Sequence, residues 1–572
     1  MKITFLKRTV LLFVCMLIAC LFYLQIVQGE YYLKMSQKNR IRVIPLRAPR
    51  GNIYDRHMEL LAGNRLAFDC AVIPQEFDDS IEVLNKVALM LDMPGGSLKS
   101  KIEENALAPF APTTLKRDLD KELAISISER SLDFPGLLIQ TYPVRYYPHG
   151  SSSSHITGYI GLINEEELSI LKRYGYMIKD YVGRTGLELF YDDYLKGESG
   201  GMQVEVDSRG RELEVMGIRE PSKGMDITTT LDIRLQEYID SLLGSHKGAA
   251  IVMLSQSGDI LAMSSKPDYD PNAFLSPAKF GEVKKLLTGR DCPLINRAIS
   301  ASYPPGSVFK IVTATAALEL GRITEDELLD CGGYYVVGNR RFHCWKKSGH
   351  GLQTIREGIK NSCNVFFWQT GLKAGVDAIS DFGARYGLGR KSSVDLPYET
   401  EGVLPGRGWK RRTKGESWYP GDTMNLSIGQ GYLLLTPMQV TCMYNALATE
   451  GKVFTPHIAR SIGGVDVFPQ QTDMLKISAR TFRAIKDGTK RAVQDAGGTS
   501  SKADAEGLDI AGKTGTAETG TDRTHAWFAG YSPADDPLVT VTVFLEYGGK
   551  GGGLPCEIAS KIFIKLEELG YL

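Results

Sequence analysis

The chain opens on an almost unbroken apolar run. From Thr9 to Gln28 nearly every residue is apolar, behind Lys2, Lys7 and Arg8. Such a run, about twenty residues at ~1.5 Å each, crosses a bilayer core of ~30 Å as a helix. A cleaved leader would carry a shorter apolar core and end in a small-x-small site, whereas this run ends in the bulky "YLQIVQGEYY". The expectation is an uncleaved, single-pass anchor: a cytoplasmic tail of residues 1–8, a membrane helix over residues 9–28, and everything beyond residue 30 outside the cytoplasm, because the basic residues precede the span. Residues 31–60 are basic and extended. Amphipathic stretches such as "SIEVLNKVALMLD" then alternate with strand-like runs such as "GLLIQTYPVRYYP". Around "VEVDSRGRELEVMGIREPSKGMDITTTLD" the pattern turns polar and glycine-containing, which predicts a junction between one domain over residues 30–215 and a second over residues 225–572.

The second domain starts with "GAAIVMLSQSGDILAMSSKP", two apolar runs about Ser257-Gly258 that predict a hairpin. "PLVTVTVFLEYG" is rich in β-branched residues and predicts a strand. The last segment, "EIASKIFIKLEELGYL", places Ile558, Ile562, Leu566 and Leu569 on one helical face. Strands at both ends with helices between them predict an α/β layered domain whose terminal elements close one sheet. At 572 residues the chain is too long for one ordinary domain. Lys+Arg and Asp+Glu both number 67, so the chain is neutral, and no basic surface for a nucleic-acid partner is expected.

One stretch carries candidate chemistry. In "YPPGSVFK" two prolines and a glycine precede Ser307, and Lys310 follows three residues later at the head of "IVTATAALEL". Proline favours a helix start, and residues i and i+3 are neighbours on a helix, so Lys310 is placed within reach of the Ser307 hydroxyl. A buried lysine near a helix N-terminus is easier to keep neutral, and a neutral lysine can take the serine proton. By itself this pattern also fits a plain N-cap serine, and "SPAK" at Ser276–Lys279 repeats the spacing. Two further motifs narrow the choice. "NSCNVFF" supplies Ser362 and Asn364 ahead of a helix-forming run, and "LDIAGKTGTAE" supplies Lys513, Thr514, Gly515 and Thr516 after a short apolar run, read as a strand end. Gly512 and Gly515 let a ligand backbone approach. Lys513 and Thr514 suit a carboxylate, and a backbone N–H near Thr516 suits an oxyanion. S-x-x-K, then S-x-N, then K-T-G in this order is the motif set of the penicillin-interacting serine enzymes.

The chain as a whole resembles the class B penicillin-binding proteins. "RAPRGNIYDRHMELLAGN" is similar to their R-G-x-I-x-D-R-x-G-x-x-L-A-x-N segment, with His57-Met58 departing from it. "RYYPHGSSSSHITGYIGLI", "GRTGLELFYDDYLKGESG", "CWKKSGHG" and "HAWFAGYSPAD" resemble the elongation branch. The resemblance implies a membrane helix, an α+β pedestal and a β-lactamase-like transpeptidase domain, built as an antiparallel sheet packed with helices plus a helical lobe. It implies a peptidoglycan D,D-transpeptidase of cell-wall elongation and rod-shape maintenance, anchored in the cytoplasmic membrane with its catalytic domain outside. Ser307 would attack the penultimate D-Ala of a stem pentapeptide and Lys310 would be the base. Ser362 and Asn364 would relay a proton and position the peptide, Lys513 and Thr514 would bind the terminal carboxylate, and the N–H groups of Ser307 and Thr516 would form the oxyanion hole. β-Lactams would stall as acyl-enzymes. The implied partners are a SEDS-family (RodA-like) glycosyltransferase and other elongation-complex proteins. The competing readings are a β-lactamase or carboxypeptidase, a septal transpeptidase, and a non-catalytic β-lactam sensor or scaffold.

Nine cysteines are many for a chain outside the cytoplasm. Cys331, Cys344, His350 and Cys363 form C-x12-C-x5-H-x12-C, a ligand set for structural zinc. The alternative is a Cys331–Cys344 disulfide with Cys363 free, and His343 and Asp330 are alternative ligands. The resemblance implies metal ligands in this segment, some of them carboxylates in relatives. Cys363 is the middle residue of S-x-N, so a metal would pin that motif to its scaffold.

Overall fold

A computed structural model describes residues 2–32, 41–94, 96–105, 112–130, 133–176, 180–206, 212–276, 279–468 and 470–572. The apolar N-terminal run is a helix, Lys2–Phe22, continued by a wider turn over Tyr23–Val27. The segment able to cross a membrane is Phe5–Val27, and none of it is buried against the rest of the chain.

The chain divides into two compact units that are not contiguous in sequence. The first contains residues 1–51, 64–144 and 196–224, and the second contains residues 52–63, 145–195 and 225–572. In the first unit Ile41–Leu46, Gly200–Val206 and Glu212–Arg219 make a three-stranded antiparallel sheet. The stretch expected to be the domain junction therefore carries two paired strands. Elsewhere in this unit Cys70, Ala71 and Val72 pair antiparallel with the strand Thr113–Lys116. The predicted amphipathic helix is present as Ile81–Met90. Ser80 caps it by accepting from the Val83 N–H, and Leu84, Val87 and Leu91 face a core shared with Val72, Leu115, Ile127 and Leu137.

In the second unit five antiparallel strands lie in the order Ile260–Lys266, Gly248–Leu254, Val539–Leu545, Thr524–Ser532, Ala511–Glu518. The predicted hairpin supplies the first two strands, and the β-branched run supplies the central one. Helices cover both faces, which explains why Val539–Leu545 is buried throughout. On one face Val541 and Val543 meet Leu235, Ile239 and the C-terminal helix Leu554–Glu568 through Ile558, Ile562 and Leu566. On the other, Trp527, Tyr531 and Phe544 meet Val308, Phe309, Val312, Phe366 and Tyr444 from a helical lobe. The K-T-G motif is not at a strand end. It lies inside the edge strand Ala511–Glu518, where a Cβ on Gly512 would sit 2.5 Å from the Phe528 ring.

Candidate active site and Cys/His cluster

The two prolines hold a turn that is tied down on every side. The Trp527 indole donates to the Pro304 carbonyl at 3.0 Å, and the Tyr303 hydroxyl donates to Glu546 at 2.6 Å. Gly306 has φ +58°, and a side chain there would bring a Cβ to 2.7 Å from the Thr516 carbonyl. A Cβ on Gly515 would meet the Pro305 carbonyl at 2.5 Å. These two glycines let the Ser307 turn lie directly against the K-T-G strand. Ser307 lies in a short 3-10 turn, Gly306–Phe309, and Lys310 is the first residue of the helix Lys310–Glu319. Ser307 is half-buried at the wall of a cleft of about 1030 Å³.

Lys310 is fully buried. Its ammonium nitrogen donates to the Ser362 main-chain carbonyl at 2.8 Å and to Asn364 Oδ1 at 2.7 Å, with Ser362 Oγ at 3.3 Å. Burial pulls its pKa down from 10.5 to about 8. A neutral amine has two N–H donors and one lone pair. The two carbonyl oxygens accept only, so they take both donors and leave the lone pair to receive a hydroxyl proton. Ser362 has the left-handed φ of +51°, a strained backbone that turns its carbonyl and hydroxyl toward Lys310. Behind it Cys363 caps the helix Asn364–Ala374.

Lys513 is also fully buried, within 3.2–3.4 Å of the carbonyl and hydroxyl of Thr514 and the hydroxyl of Thr499. Burial first, then the charge on Lys310, push its pKa well below 10.5. Thr514 and Thr516 line the cleft, and the Thr516 hydroxyl accepts from the Gly551 N–H at 3.0 Å. The structure thus brings Ser307, Lys310, Ser362, Asn364, Lys513, Thr514, Gly515 and Thr516 into one site. The decoy "SPAK" is not in it: Pro277-Ala278 lie outside the described residues, and Lys279 pairs with Asp270 at 3.2 Å.

Several residues of the cleft were not anticipated. Thr499 accepts from Lys513 and donates to the Lys360 carbonyl at 3.0 Å. Gln430 donates to the Thr516 carbonyl at 3.3 Å. Phe342, Trp345 and Trp368 form an aromatic wall, with Lys502, Glu518 and Lys550 also lining the cleft. "CWKKSGHG" contains one of these aromatics, but nothing local in the sequence aims it at the cleft.

Cys331, Cys344, His350 and Cys363 converge, their ligand atoms all within 4.8 Å of one another. None of the nine cysteines is bridged in this structure, Cys331 and Cys344 included. His350 Nδ1 lies 3.5 Å from Cys331 Sγ and 3.6 Å from Cys344 Sγ. Four ligands at ~2.0–2.3 Å around zinc are separated by roughly 3.3–3.8 Å, so these spacings fit a closed tetrahedral site. His350 Nε2 is buried without a protein partner, so the side chain is oriented by the thiols rather than by a bond on its far side. Hydrogen bonds from Cys363 and His350 drive Cys344 toward the thiolate. His343 and Asp330 are outside the group. The residues fit zinc in a structural role, because four protein ligands leave no open position for substrate.

Residues 248–563 match the penicillin-binding protein transpeptidase domain, and residues 45–229 match the penicillin-binding protein dimerisation domain. The chain is 32% identical to peptidoglycan D,D-transpeptidase MrdA of Haemophilus influenzae over 97% of this chain and 89% of that one. It is 32% identical to the Escherichia coli MrdA over 95% and 90%. Among solved structures it is similar to a penicillin-binding protein (PBP2) of Helicobacter pylori in complex with MreC, with TM-score 0.83 and 29% identity over 93% of this chain and 99% of that one. Motifs, fold and relatives agree: the chain belongs to the class B penicillin-binding proteins, in the elongation branch of peptidoglycan D,D-transpeptidases.

Proposed function

We propose that Ser307 is the acyl-accepting nucleophile of a D,D-transpeptidase that cross-links stem peptides during wall elongation. The observation that carries this is the hydrogen-bond pattern of Lys310, which commits both donors of the neutral amine and leaves its lone pair for a hydroxyl. Ser307 Oγ attacks the carbonyl carbon of the penultimate D-Ala, and its proton passes to Lys310 Nζ. The oxyanion is met by the N–H groups of Ser307 and Thr516. The C–N bond to the terminal D-Ala then breaks, and the leaving amine takes a proton through Ser362, with Asn364 holding the peptide. Lys513 and Thr514 bind the terminal carboxylate. The amine of a second stem attacks the ester, gives up its proton to Lys310, and Ser307 Oγ leaves with a proton restored. A β-lactam follows the first half of this course and stops at the ester.

On this reading residues 30–215 act as the pedestal and residues 225–572 as the transpeptidase domain, although residues 52–63 and 145–195 pack with the second compact unit. The partners are the other members of an elongation complex. The Helicobacter pylori relative is in complex with MreC, and a further similar chain belongs to a peptidoglycan synthase complex that coordinates polymerization and crosslinking. An MreC-like scaffold and a SEDS-family glycosyltransferase are the corresponding partners here. The Cys/His cluster would hold zinc through Cys331, Cys344, His350 and Cys363 and fix the backbone ahead of Asn364. The test is intact mass after β-lactam exposure, with peptide mapping: one adduct on Ser307 is expected, and an adduct elsewhere refutes the assignment.

A further inference from the structure

One main-chain carbonyl stands between two side chains that have no sequence relation. The Ser362 carbonyl accepts from Lys310 Nζ at 2.8 Å. The same oxygen accepts from the Trp345 indole N–H at 3.2 Å, which also reaches the Asn361 carbonyl at 3.1 Å. Trp345 directly follows Cys344, and its ring meets the His350 ring edge-on, with centroids 5.1 Å apart at 63°. The side chain is 58% exposed, so core packing does not account for its position. Its specific contacts are the His350 ring on one side and two carbonyls of the S-x-N loop on the other.

We infer that Trp345 is a positioning residue that transmits the geometry of the Cys/His cluster to the catalytic base, by holding the Ser362 carbonyl where Lys310 needs it. The indole N–H fixes the direction of a carbonyl on a residue with a strained, left-handed backbone. Without the N–H the carbonyl is free to tilt, and Lys310 loses the donor arrangement that aims its lone pair. Substrate affinity, set by Lys513 and Thr514 on the K-T-G strand, does not pass through this carbonyl. Trp345 therefore acts on the acylation step and not on the binding step.

This rests on acylation at Ser307, so the unmodified protein is assayed first. The detergent-solubilised full chain is mixed with a chromogenic cephalosporin, and the saturation curve separates the pre-equilibrium constant from the acylation rate constant. Two variants follow: Trp345→Phe, and replacement of Trp345 by benzothienylalanine, which keeps the bicyclic shape and lacks only the N–H. Metal content by elemental analysis and melting temperature are measured on each. Both variants are expected to keep metal and melting temperature while the acylation rate constant falls roughly three- to tenfold, the range for one lost hydrogen bond, with the pre-equilibrium constant unchanged in the benzothienylalanine protein, whose ring still fills the cleft wall. An unchanged rate constant in the benzothienylalanine protein overturns the inference. So does a change confined to the pre-equilibrium constant, which would make Trp345 a wall of the cleft only. Loss of metal from that protein also overturns it, because Trp345 would then act on the cluster and not on the base. An unmodified protein that forms no Ser307 adduct removes the acyl-transfer reading itself, and the inference with it.

Discussion

The pH dependence of acylation tests the base directly. Lys310 has no carboxylate among its hydrogen-bond partners, and burial brings its pKa from 10.5 to about 8. Acylation needs the neutral amine. With a pKa near 8, roughly a tenth of the protein is in that form at pH 7 and roughly nine-tenths at pH 9, so the rate constant is expected to rise about tenfold across that window. A lysine left at its ordinary value would be neutral in only about 0.03% of molecules at pH 7, and the rise would continue beyond pH 10. Lys513 moves the binding step the other way. It must be charged to hold a carboxylate, and its pKa is also depressed, so affinity is expected to weaken as pH rises. Stopped-flow acylation of the solubilised chain from pH 6 to 10 resolves the two steps. A rate constant that is flat with pH, or whose midpoint lies above 10, would refute Lys310 as a base tuned by burial. The stability sign follows from the same shift. A lysine whose folded pKa is lowered disfavours folding below that pKa, by roughly 3 kcal/mol for a shift of this size, and the penalty fades as pH rises from about 8 toward the unfolded value. Lys310→Met removes that penalty at pH 7 but leaves Asn364 Oδ1 without its donor and the Ser362 carbonyl with only the Trp345 N–H, so it should abolish acylation with little net change in melting temperature.

Ser307→Ala should eliminate the covalent adduct by intact mass and leave the melting temperature within a few degrees, since only a hydroxyl is lost. Gly306→Ala should cut acylation at least a hundredfold, because it needs the left-handed φ of +58° and meets the Thr516 carbonyl at 2.7 Å; a normal rate would show that the turn relaxes freely. The purified protein should contain about one zinc per chain by elemental analysis, and chelation should lower its melting temperature by several degrees. Cys344→Ser should lose metal and slow labelling without abolishing it, whereas an apo protein as stable as the holo protein would remove the structural role. A chain lacking residues 1–29 should be soluble and still labelled by a fluorescent penicillin, whereas failure to label would mean that the anchor supports the catalytic fold.

The motifs were readable because each is local. A proline pair ahead of a serine, or four thiol and imidazole ligands crowded between Cys331 and Cys363, announces itself over a few turns of chain. What joins the motifs was not readable. Lys310 meets Ser362 across 52 positions, and Thr499 reaches Lys513 from a loop with no motif of its own. The sequence predicts K-T-G at a strand end, whereas it lies inside Ala511–Glu518, for a definite reason. Glycine weakens strand propensity, but Gly512 is needed there because the Phe528 ring lies against it. By spacing alone His343 is as good a ligand as its neighbours. The hairpin sets it opposite Tyr334, which leaves the next residue, Cys344, to turn inward.

Nor does any local pattern reveal that two lysines of like charge are buried in one site. The field between them is reciprocal: a proton on either makes a proton on the other less favourable. A site with two such groups separates their roles by whatever it adds to one of them. An incoming substrate carboxylate adds its charge at the K-T-G strand, where it favours the proton on Lys513. Lys310 is held by two uncharged carbonyls, and burial outweighs the Cys363 and Cys344 charges that raise its pKa. On the proposed reading the proton then settles on Lys513, which holds the carboxylate, and the free lone pair on Lys310, which takes the Ser307 proton.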